Sequence, residues 1–207
     1  MINGILSFEG NVYYFLITFA ILGGGIKYVD DAFDEKTFKK RNAMILAPVL
    51  GILWGYTSYL DGTACTLLLA VLISVIVTAK IDCRAHQIGL IPIVVFLLVT
   101  GSNPMWIPLG ILVIAGIVDE KGNDVFEEEE GDIDLSGMPG KIVDYFFKFR
   151  FSMKVVVIIM TVFGIIPLYF LVAFLLFDAA YAGVGWYSRR LRHKSRKDSV
   201  SKAGSIP

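Results

Sequence analysis

The chain has 207 residues, of which 56% are hydrophobic and 18% are charged, and its formal net charge is zero. The apolar residues lie in long blocks without the alternation typical of half-buried strands, which excludes an ordinary soluble domain. The sequence therefore predicts an all-α, multi-pass bundle of helices in the cell membrane. We expect membrane lipids as partners and no nucleic acid.

Six apolar runs follow one another along the chain, and the last is too long for a single span of about 20 residues. The runs cover residues 11–29, 43–60, 64–81, 87–101, 104–118 and 152–187. Pro167, just after Gly164, is a helix breaker in the middle of the last run, as Pro104 is after Gly101. The sequence thus predicts seven transmembrane helices. The fourth to sixth are short and must tilt or extend into their flanking loops.

The positive charges provide an independent test of this count, because Lys and Arg are retained on the cytoplasmic side of a membrane. With seven spans, all 19 basic residues fall on one side. None lies in the segments expected on the other side, which are 1–12, 58–66, 100–106 and 164–168. We therefore expect the N-terminus outside and the C-terminus inside.

Two parts of the chain are predicted to lie on the cytoplasmic side of the transmembrane bundle, which itself covers residues 1–187. The loop 119–152 holds an acid-rich stretch, and the segment 141–154 after it mixes Phe with basic residues, as is typical of an interfacial helix. A plain continuation of the sixth span is the alternative for that segment. Residues 188–207 form a polar, basic tail that we expect to be disordered.

An acidic cluster follows the first span and contains Asp30, Asp31, Asp34 and Glu35. Spacings of three and four residues would place the last three on one helical face. Acids at a helix C-terminus oppose the helix dipole, so a cation or a basic loop has to compensate them. We interpret the cluster either as a divalent metal site or as a solvated membrane boundary.

Further acids stand at or near the cytoplasmic ends of the other odd-numbered spans. They are Asp82, Asp119 with the nearby Asp124, and Asp178 inside the seventh span. Several carboxylates that converge at one end of a bundle are the ligands that Mg²⁺ prefers. We therefore predict as metal ligands Asp30, Asp31, Asp34, Asp82, Asp119 and Asp124.

Asp178 is a candidate for a catalytic role because of its depth in the membrane. On a continuous helix it would lie about 16 Å above the basic tail, inside the hydrocarbon. An ionisable group at that depth normally faces a cavity or a partner and often has a function. The structural alternatives are an ion pair with Lys27 or a hydrogen-bonded carboxyl near Tyr181.

The loop between the third and fourth spans supplies two more candidate catalytic residues, Lys80 and Arg84. Four residues apart on a helix, they would share a face and could bind a phosphate. Flanking charges that only fix the topology would have the same pattern. His86 in the same loop is a lone candidate general base, or simply polar surface.

Two of these acidic segments also carry a resemblance to a known family. The first holds Asp30, Asp31 and Asp34, with a basic stretch, Pro48 and Gly51 after them. The second holds Asp119, Asn123 and Asp124. Over residues 23–124 this arrangement resembles the UbiA superfamily of membrane prenyltransferases, which have two aspartate-rich motifs at the cytoplasmic ends of a helical bundle. The resemblance implies that Mg²⁺ bridges both motifs to an isoprenyl diphosphate, although this chain has fewer spans than the family.

We therefore expect a membrane enzyme that acts on a lipid or isoprenyl diphosphate, most readily by prenyl transfer, with Mg²⁺ held by the carboxylates. In this chemistry the metal neutralises the leaving diphosphate, and Lys80 or Arg84 adds positive charge. The alternative is a cation transporter or channel that uses Asp178 and the acidic cluster. A structural or interaction protein is the third possibility. The sequence leaves the substrate and the oligomeric state open.

Overall fold

A computed structural model describes residues 2–79, 84–101, 103–129 and 151–203, with side chains placed in 12–79, 84–101, 103–122 and 151–194. These residues are all-α and form seven helices. In chain order they are α1 (Ile2–Phe33), α2 (Lys40–Leu60), α3 (Gly62–Val77), α4 (Arg84–Thr100), α5 (Trp106–Glu129), α6 (Phe151–Val162) and α7 (Leu168–Ala203).

Each of the seven helices overlaps one of the seven segments that the apolar runs predict, and the two predicted breaks, after Gly101 and after Gly164, are observed. Gly101 and Gly164 both adopt positive φ angles, 63° and 71°, in the left-handed region where a side chain would be strained. Pro104 and Pro167 follow them and precede the next helices, α5 and α7. The long last run is therefore two helices, as predicted.

Three segments of these helices are long and apolar enough to cross a membrane, which indicates a membrane protein. They are Val12–Phe33, Lys40–Leu60 and Leu168–Lys194. Three further helices are apolar but shorter, namely Gly62–Val77, Arg84–Thr100 and Phe151–Val162. The prediction is confirmed to the extent that three helices could span a membrane, and the count of seven spans and their orientation stay predictions.

The structure differs from the sequence predictions at several helix ends. α1 begins at Ile2, well before the predicted run 11–29, and α5 continues to Glu129, so the first part of the predicted loop 119–152 is helical. α1 ends at Phe33, so Asp34 and Glu35 follow the helix and do not share a helical face with Asp31. α7 continues to Ala203, so residues 188–203, predicted to be a disordered tail, are helical. The acid-rich stretch from 130 on and most of the predicted interfacial helix lie outside the described residues.

The chain divides into two compact units. The first contains residues 1–55, 83–95 and 173–207, and the second contains 56–82 and 96–172. In the second unit, α5 packs against both α3 and α6.

Close helix packing organises the first unit. Gly23 of α1 lies against the backbone of Phe177 in α7, where a side chain on the glycine would collide with the Phe177 carbonyl. Gly51 of α2 meets the backbone of Gly89 in α4 in the same way. Because glycine has no Cβ, these helices can approach backbone to backbone, as small residues permit in membrane bundles.

Candidate functional site

The last two turns of α1 carry a buried carboxylate in the first unit. The Asp31 side chain is only 4% exposed, and its Oδ1 lies 3.1 Å from the Lys27 Nζ, one helical turn earlier. Its other oxygen, Oδ2, is buried and has no hydrogen-bond partner among the residues that the structure describes. A buried carboxylate oxygen is costly to leave unsatisfied, so a group that bound this atom would be stabilising.

The neighbouring carboxylate, Asp30, is engaged through both of its oxygens. The His86 Nε2 of α4 lies 2.8 Å from Asp30 Oδ1. The Tyr181 hydroxyl of α7 donates a hydrogen bond of 3.0 Å to Asp30 Oδ2. Asp30 therefore ties α1 to two other helices of the first unit, and its position is fixed from both sides.

Lys27 completes the polar cluster, which we define as Lys27, Asp30, Asp31, His86 and Tyr181. Its ammonium lies 5.1 Å from the centre of the Tyr181 ring, within the range of a cation–π interaction. The five side chains form a continuous chain of contacts from Asp31 through Lys27 and Tyr181 to Asp30 and His86. Acidic, basic and phenolic groups thus meet within one helical bundle.

The cluster also explains why α1 tolerates two acids at its C-terminus. The terminal carbonyls of Asp30 and Asp31 accept hydrogen bonds from the backbone N–H groups of Asp34 (2.9 Å) and Thr37 (3.1 Å). The ammonium of Lys27 and the imidazole of His86 face the two carboxylates. The Lys27 ammonium, on α1 itself, therefore supplies positive charge beside these two acids.

The residues after α1 form an exposed loop attached to α7. Asp34 and Glu35 are exposed, and the Glu35 carboxylate is paired with the Arg192 guanidinium. The Phe38 ring stacks on Tyr28 at 4.3 Å and lies parallel to Tyr187 at 6.5 Å. Of the acidic cluster, only Asp30 and Asp31 therefore contribute to the bundle interior.

Asp119, a predicted metal ligand, has a different environment in the second unit. Its side chain accepts hydrogen bonds from the backbone N–H groups of Ser152 (2.9 Å) and Met153 (2.8 Å), which open α6. Asp119 is 1% exposed. It caps the N-terminus of α6, where a negative charge is favourable for the helix dipole. These contacts favour a structural role for Asp119 over the predicted role as a ligand.

The other predicted site residues are distributed as follows. Asp178 and Tyr181 lie on neighbouring turns of the continuous helix α7, as predicted, and Asp178 is partly buried. Arg84 is the exposed first residue of α4. Lys80 and Asp82 lie outside the described residues, and the Asp124 side chain is not among those described.

Sequence reasoning did not identify Tyr181 as a partner of Asp30, and it treated His86 as a lone residue. The sequence feature that could have identified Tyr181 is its spacing: it lies three residues after Asp178 and so shares its helix face. His86 lies one helical turn before Gly89, where α4 meets α2. Neither spacing says which residue of α1 these side chains meet.

The described part of the chain holds no group of three or more His, Cys, Asp or Glu side chains close enough to bind a metal ion. Mg²⁺ does not require such a group, because proteins often hold it with one or two carboxylates, several waters and the phosphates of a substrate.

Comparison with known proteins identified no relative of this chain. No protein-family model, curated protein or solved structure matches the chain. The function is therefore argued from the polar cluster itself.

Proposed function

We propose that this chain is an integral membrane enzyme that acts on a lipid or isoprenyl diphosphate, with prenyl transfer as the favoured reaction and Mg²⁺ as the cofactor. The observation that carries the proposal is the buried Asp31 Oδ2, which has no hydrogen-bond partner within the described part of the chain. An open carboxylate oxygen inside a helical bundle is the type of atom that a divalent cation binds.

Asp31 would hold the metal, with Asp30 beside it. When bound, Mg²⁺ would neutralise the negative charge that develops on a leaving diphosphate. His86 and Tyr181 keep Asp30 in place by binding one oxygen each, so the two carboxylates are pre-organised by contacts from three helices.

Two cations of the first unit suit the phosphate groups of such a substrate. The Lys27 ammonium already lies at the cluster, and Arg84 is the exposed first residue of the helix that carries His86. An ammonium or guanidinium that meets a phosphate forms a charge-assisted hydrogen bond, which orients the diphosphate and stabilises its charge.

The topology belongs to the same proposal. We assign seven spans, with the N-terminus outside and the C-terminus in the cytoplasm, because this arrangement leaves all 19 basic residues on one side. The polar cluster then lies near the cytoplasmic face. Cysteine accessibility to a membrane-impermeant thiol reagent tests this assignment. A cysteine placed at Asn3 should be labelled in intact cells, whereas one placed at Ser205 should be labelled only after the membrane is permeabilised. Finding both positions on the same side would contradict it.

A cation transporter is the second candidate, and the contact chain of the polar cluster favours it specifically. Linked acidic and basic side chains within membrane helices occur in ion and proton pathways. Asp178, on the turn of α7 before Tyr181, would extend such a path towards the membrane centre. Flux of Na⁺, K⁺ or protons into proteoliposomes distinguishes the candidates, because the enzyme hypothesis predicts flux no greater than that of empty vesicles.

The enzyme hypothesis is tested by binding of geranylgeranyl thiodiphosphate to the protein in lipid nanodiscs, with and without Mg²⁺. We expect Mg²⁺ to strengthen binding and Asp31→Asn to remove this dependence, because the variant lacks the open carboxylate oxygen. Glu35→Gln is the matched control, since it removes a nearby but exposed carboxylate. Binding that is the same with and without Mg²⁺, or lost equally in both variants, would contradict the proposal.

A further inference from the structure

One side of α7, near the end of its described side chains, carries a tryptophan and several basic residues. The exposed residues on this side are Trp186, Arg189, Arg190 and His193. Their spacings of three, four and seven residues place them together on the helix surface. Gly185 and Ser188, on a different side of the same turns, are buried. We call the four exposed residues the basic face of α7.

Arg190 is oriented by the aromatic residue of this face. The central carbon of its guanidinium lies 3.9 Å from the centre of the Trp186 ring, which is a cation–π contact between residues four apart. A guanidinium in this position can still direct N–H groups at its edge to a phosphate. Trp186 is itself 51% exposed. The basic face thus combines an oriented guanidinium with an aromatic ring of the type that is enriched at membrane interfaces.

The basic face lies at the end of a helix that could cross a membrane. The candidate span is Leu168–Lys194, and its earlier turns expose aliphatic side chains such as Val172 and Leu176. Along α7 the exposed surface therefore changes from aliphatic to aromatic at Trp186, and then to cationic at Arg190. This order matches that of a lipid leaflet, from acyl chains to headgroups.

A second group of exposed cations lies at the same end of the first unit. The loop after α1 and the first turn of α2 expose Lys36, Lys39, Lys40 and Arg41. This loop is joined to α7 by the ion pair between Glu35 and Arg192. It exposes two acids, Asp34 and Glu35. Among the described residues, exposed cations therefore outnumber exposed acids at this end of the unit.

We propose that the basic face of α7 binds the headgroup of an anionic phospholipid. The Arg189 and Arg190 guanidinium groups bind the phosphate, and Trp186 packs beside the first carbons of the acyl chains. Charge complementarity selects an anionic lipid over a zwitterionic one, because cations next to a membrane attract anionic headgroups. The aromatic and aliphatic surface directly beside these cations favours a lipid over an acidic protein segment. This binding does not depend on the proposed enzyme activity.

Native mass spectrometry of the full chain in a neutral detergent tests this proposal, because it resolves the protein with and without bound lipid. The probes are phosphatidylglycerol and phosphatidylcholine with the same acyl chains. We expect the native chain to bind phosphatidylglycerol at least about fivefold more tightly, since each Lys or Arg at a membrane surface contributes about that factor. Arg190→Gln should reduce the affinity for phosphatidylglycerol by about fivefold and leave that for phosphatidylcholine unchanged.

Arg192→Gln is the matched control for Arg190→Gln. It removes the same charge from the same helix, but from a guanidinium that is paired with Glu35, so its affinity for phosphatidylglycerol should stay near the native value. Trp186→Leu should weaken binding, whereas Trp186→Phe should retain most of it, because a phenyl ring also supports a cation–π contact. Thermal unfolding of each variant verifies that it is folded.

Several outcomes would overturn the proposal. Equal affinity of the native chain for the two lipids would show that it does not select anionic headgroups. An equal loss of affinity in Arg190→Gln and Arg192→Gln would show that the lipid responds to total charge and not to the basic face. Inorganic phosphate and a poly-glutamate peptide, each at the concentration of the lipid, serve as competitors. Displacement of the lipid by phosphate would indicate a site for free anions, and displacement by the peptide would indicate a protein-binding surface.

Discussion

Asp31 and Asp119 look alike in the sequence, since each is an acid at the end of an odd-numbered apolar run, but the structure gives them different surroundings. Asp119 is buried and receives two backbone N–H groups at the start of α6. Asp31 is also buried but has one oxygen paired with Lys27 and one without a hydrogen-bond partner among the described residues. The backbone uses the Asp119 carboxylate, whereas no backbone group is seen to bind the second oxygen of Asp31 among the described residues.

Burial alone therefore does not distinguish these two acids, because the oxygens of Asp119 are bound by backbone N–H groups and those of Asp31 are not. A carboxylate that caps a helix is stabilised by the helix dipole and by charge-assisted hydrogen bonds. A carboxylate with an open oxygen keeps its capacity to bind a cation. The comparison predicts that variants of Asp119 affect stability, whereas variants of Asp31 affect binding.

The largest expected effect on stability comes from Asp119→Ala. The change leaves two N–H groups at the start of α6 without an acceptor, so the free energy of unfolding should fall by about 2–4 kcal/mol. Denaturant or thermal unfolding in detergent measures this loss. A variant as stable as the native chain would show that the cap contributes nothing to the second unit.

Asp178→Asn should have the next largest effect, but on activity. Asp178 belongs to a helix that could cross a membrane. A charged carboxylate there would cost on the order of 3 kcal/mol, so removal of its charge should leave the protein folded. We expect diphosphate turnover to fall while thermal stability stays near that of the native chain.

Two further variants test whether Asp178 is instead an ion-pair partner of Lys27. They are Lys27→Met and the double variant that combines Asp178→Asn with Lys27→Met. If Asp178→Asn keeps full activity but loses stability, and the double variant regains that stability, then Asp178 is a structural ion-pair partner of Lys27. Such a result would remove Asp178 from the candidate site.

A smaller effect is expected for Tyr181→Phe, which removes one hydrogen bond to Asp30 and keeps the ring near Lys27. The loss of one such bond should cost about 0.5–1.5 kcal/mol of unfolding free energy. It should also weaken Mg²⁺-dependent substrate binding moderately, because Asp30 is then held by His86 alone. Binding and unfolding measured on the same preparation test both parts, and an unchanged affinity would show that Tyr181 does not position Asp30.

The smallest effect is expected for Arg192→Gln, which breaks the exposed ion pair with Glu35. Exposed ion pairs contribute about 0–1 kcal/mol, so unfolding and substrate binding should both stay close to the native values. High salt should not change this result. A large loss of binding would place the loop after α1 in the site and would contradict the division between Asp31 and the exposed acids.

The fold was largely predictable because its signals are local. Long apolar runs require helices, and Gly101–Pro104 and Gly164–Pro167 combine a residue that tolerates positive φ with one that cannot continue a helix. The end of α1 was predicted less well. Asp34 and Glu35 fit a helical face by spacing, but the chain turns at Lys36, which has a positive φ of 52°, and spacing alone carries no sign of that turn.

The candidate site was predictable only in part because its contacts are distant in sequence. Asp30 and Asp31 were identified from their charge at a membrane boundary. The cap between Asp119 and Ser152 joins residues 33 positions apart, and the bond between Tyr181 and Asp30 spans 151 positions. Apolar periodicity predicts which segments are helices but not which of their faces meet. The partners of Asp119 and Asp30 were therefore identified only from the structure.

The most direct test of the central claim is Mn²⁺ binding by Asp31→Asn and Asp119→Asn, measured side by side with the native chain in nanodiscs. Asparagine keeps the size of the side chain and one acceptor oxygen, so both variants should remain folded. We expect Asp31→Asn to lose Mn²⁺ binding, whereas Asp119→Asn should keep the native affinity and unfold at a lower temperature. Native Mn²⁺ affinity in Asp31→Asn, with binding lost in a folded Asp119→Asn, would contradict it.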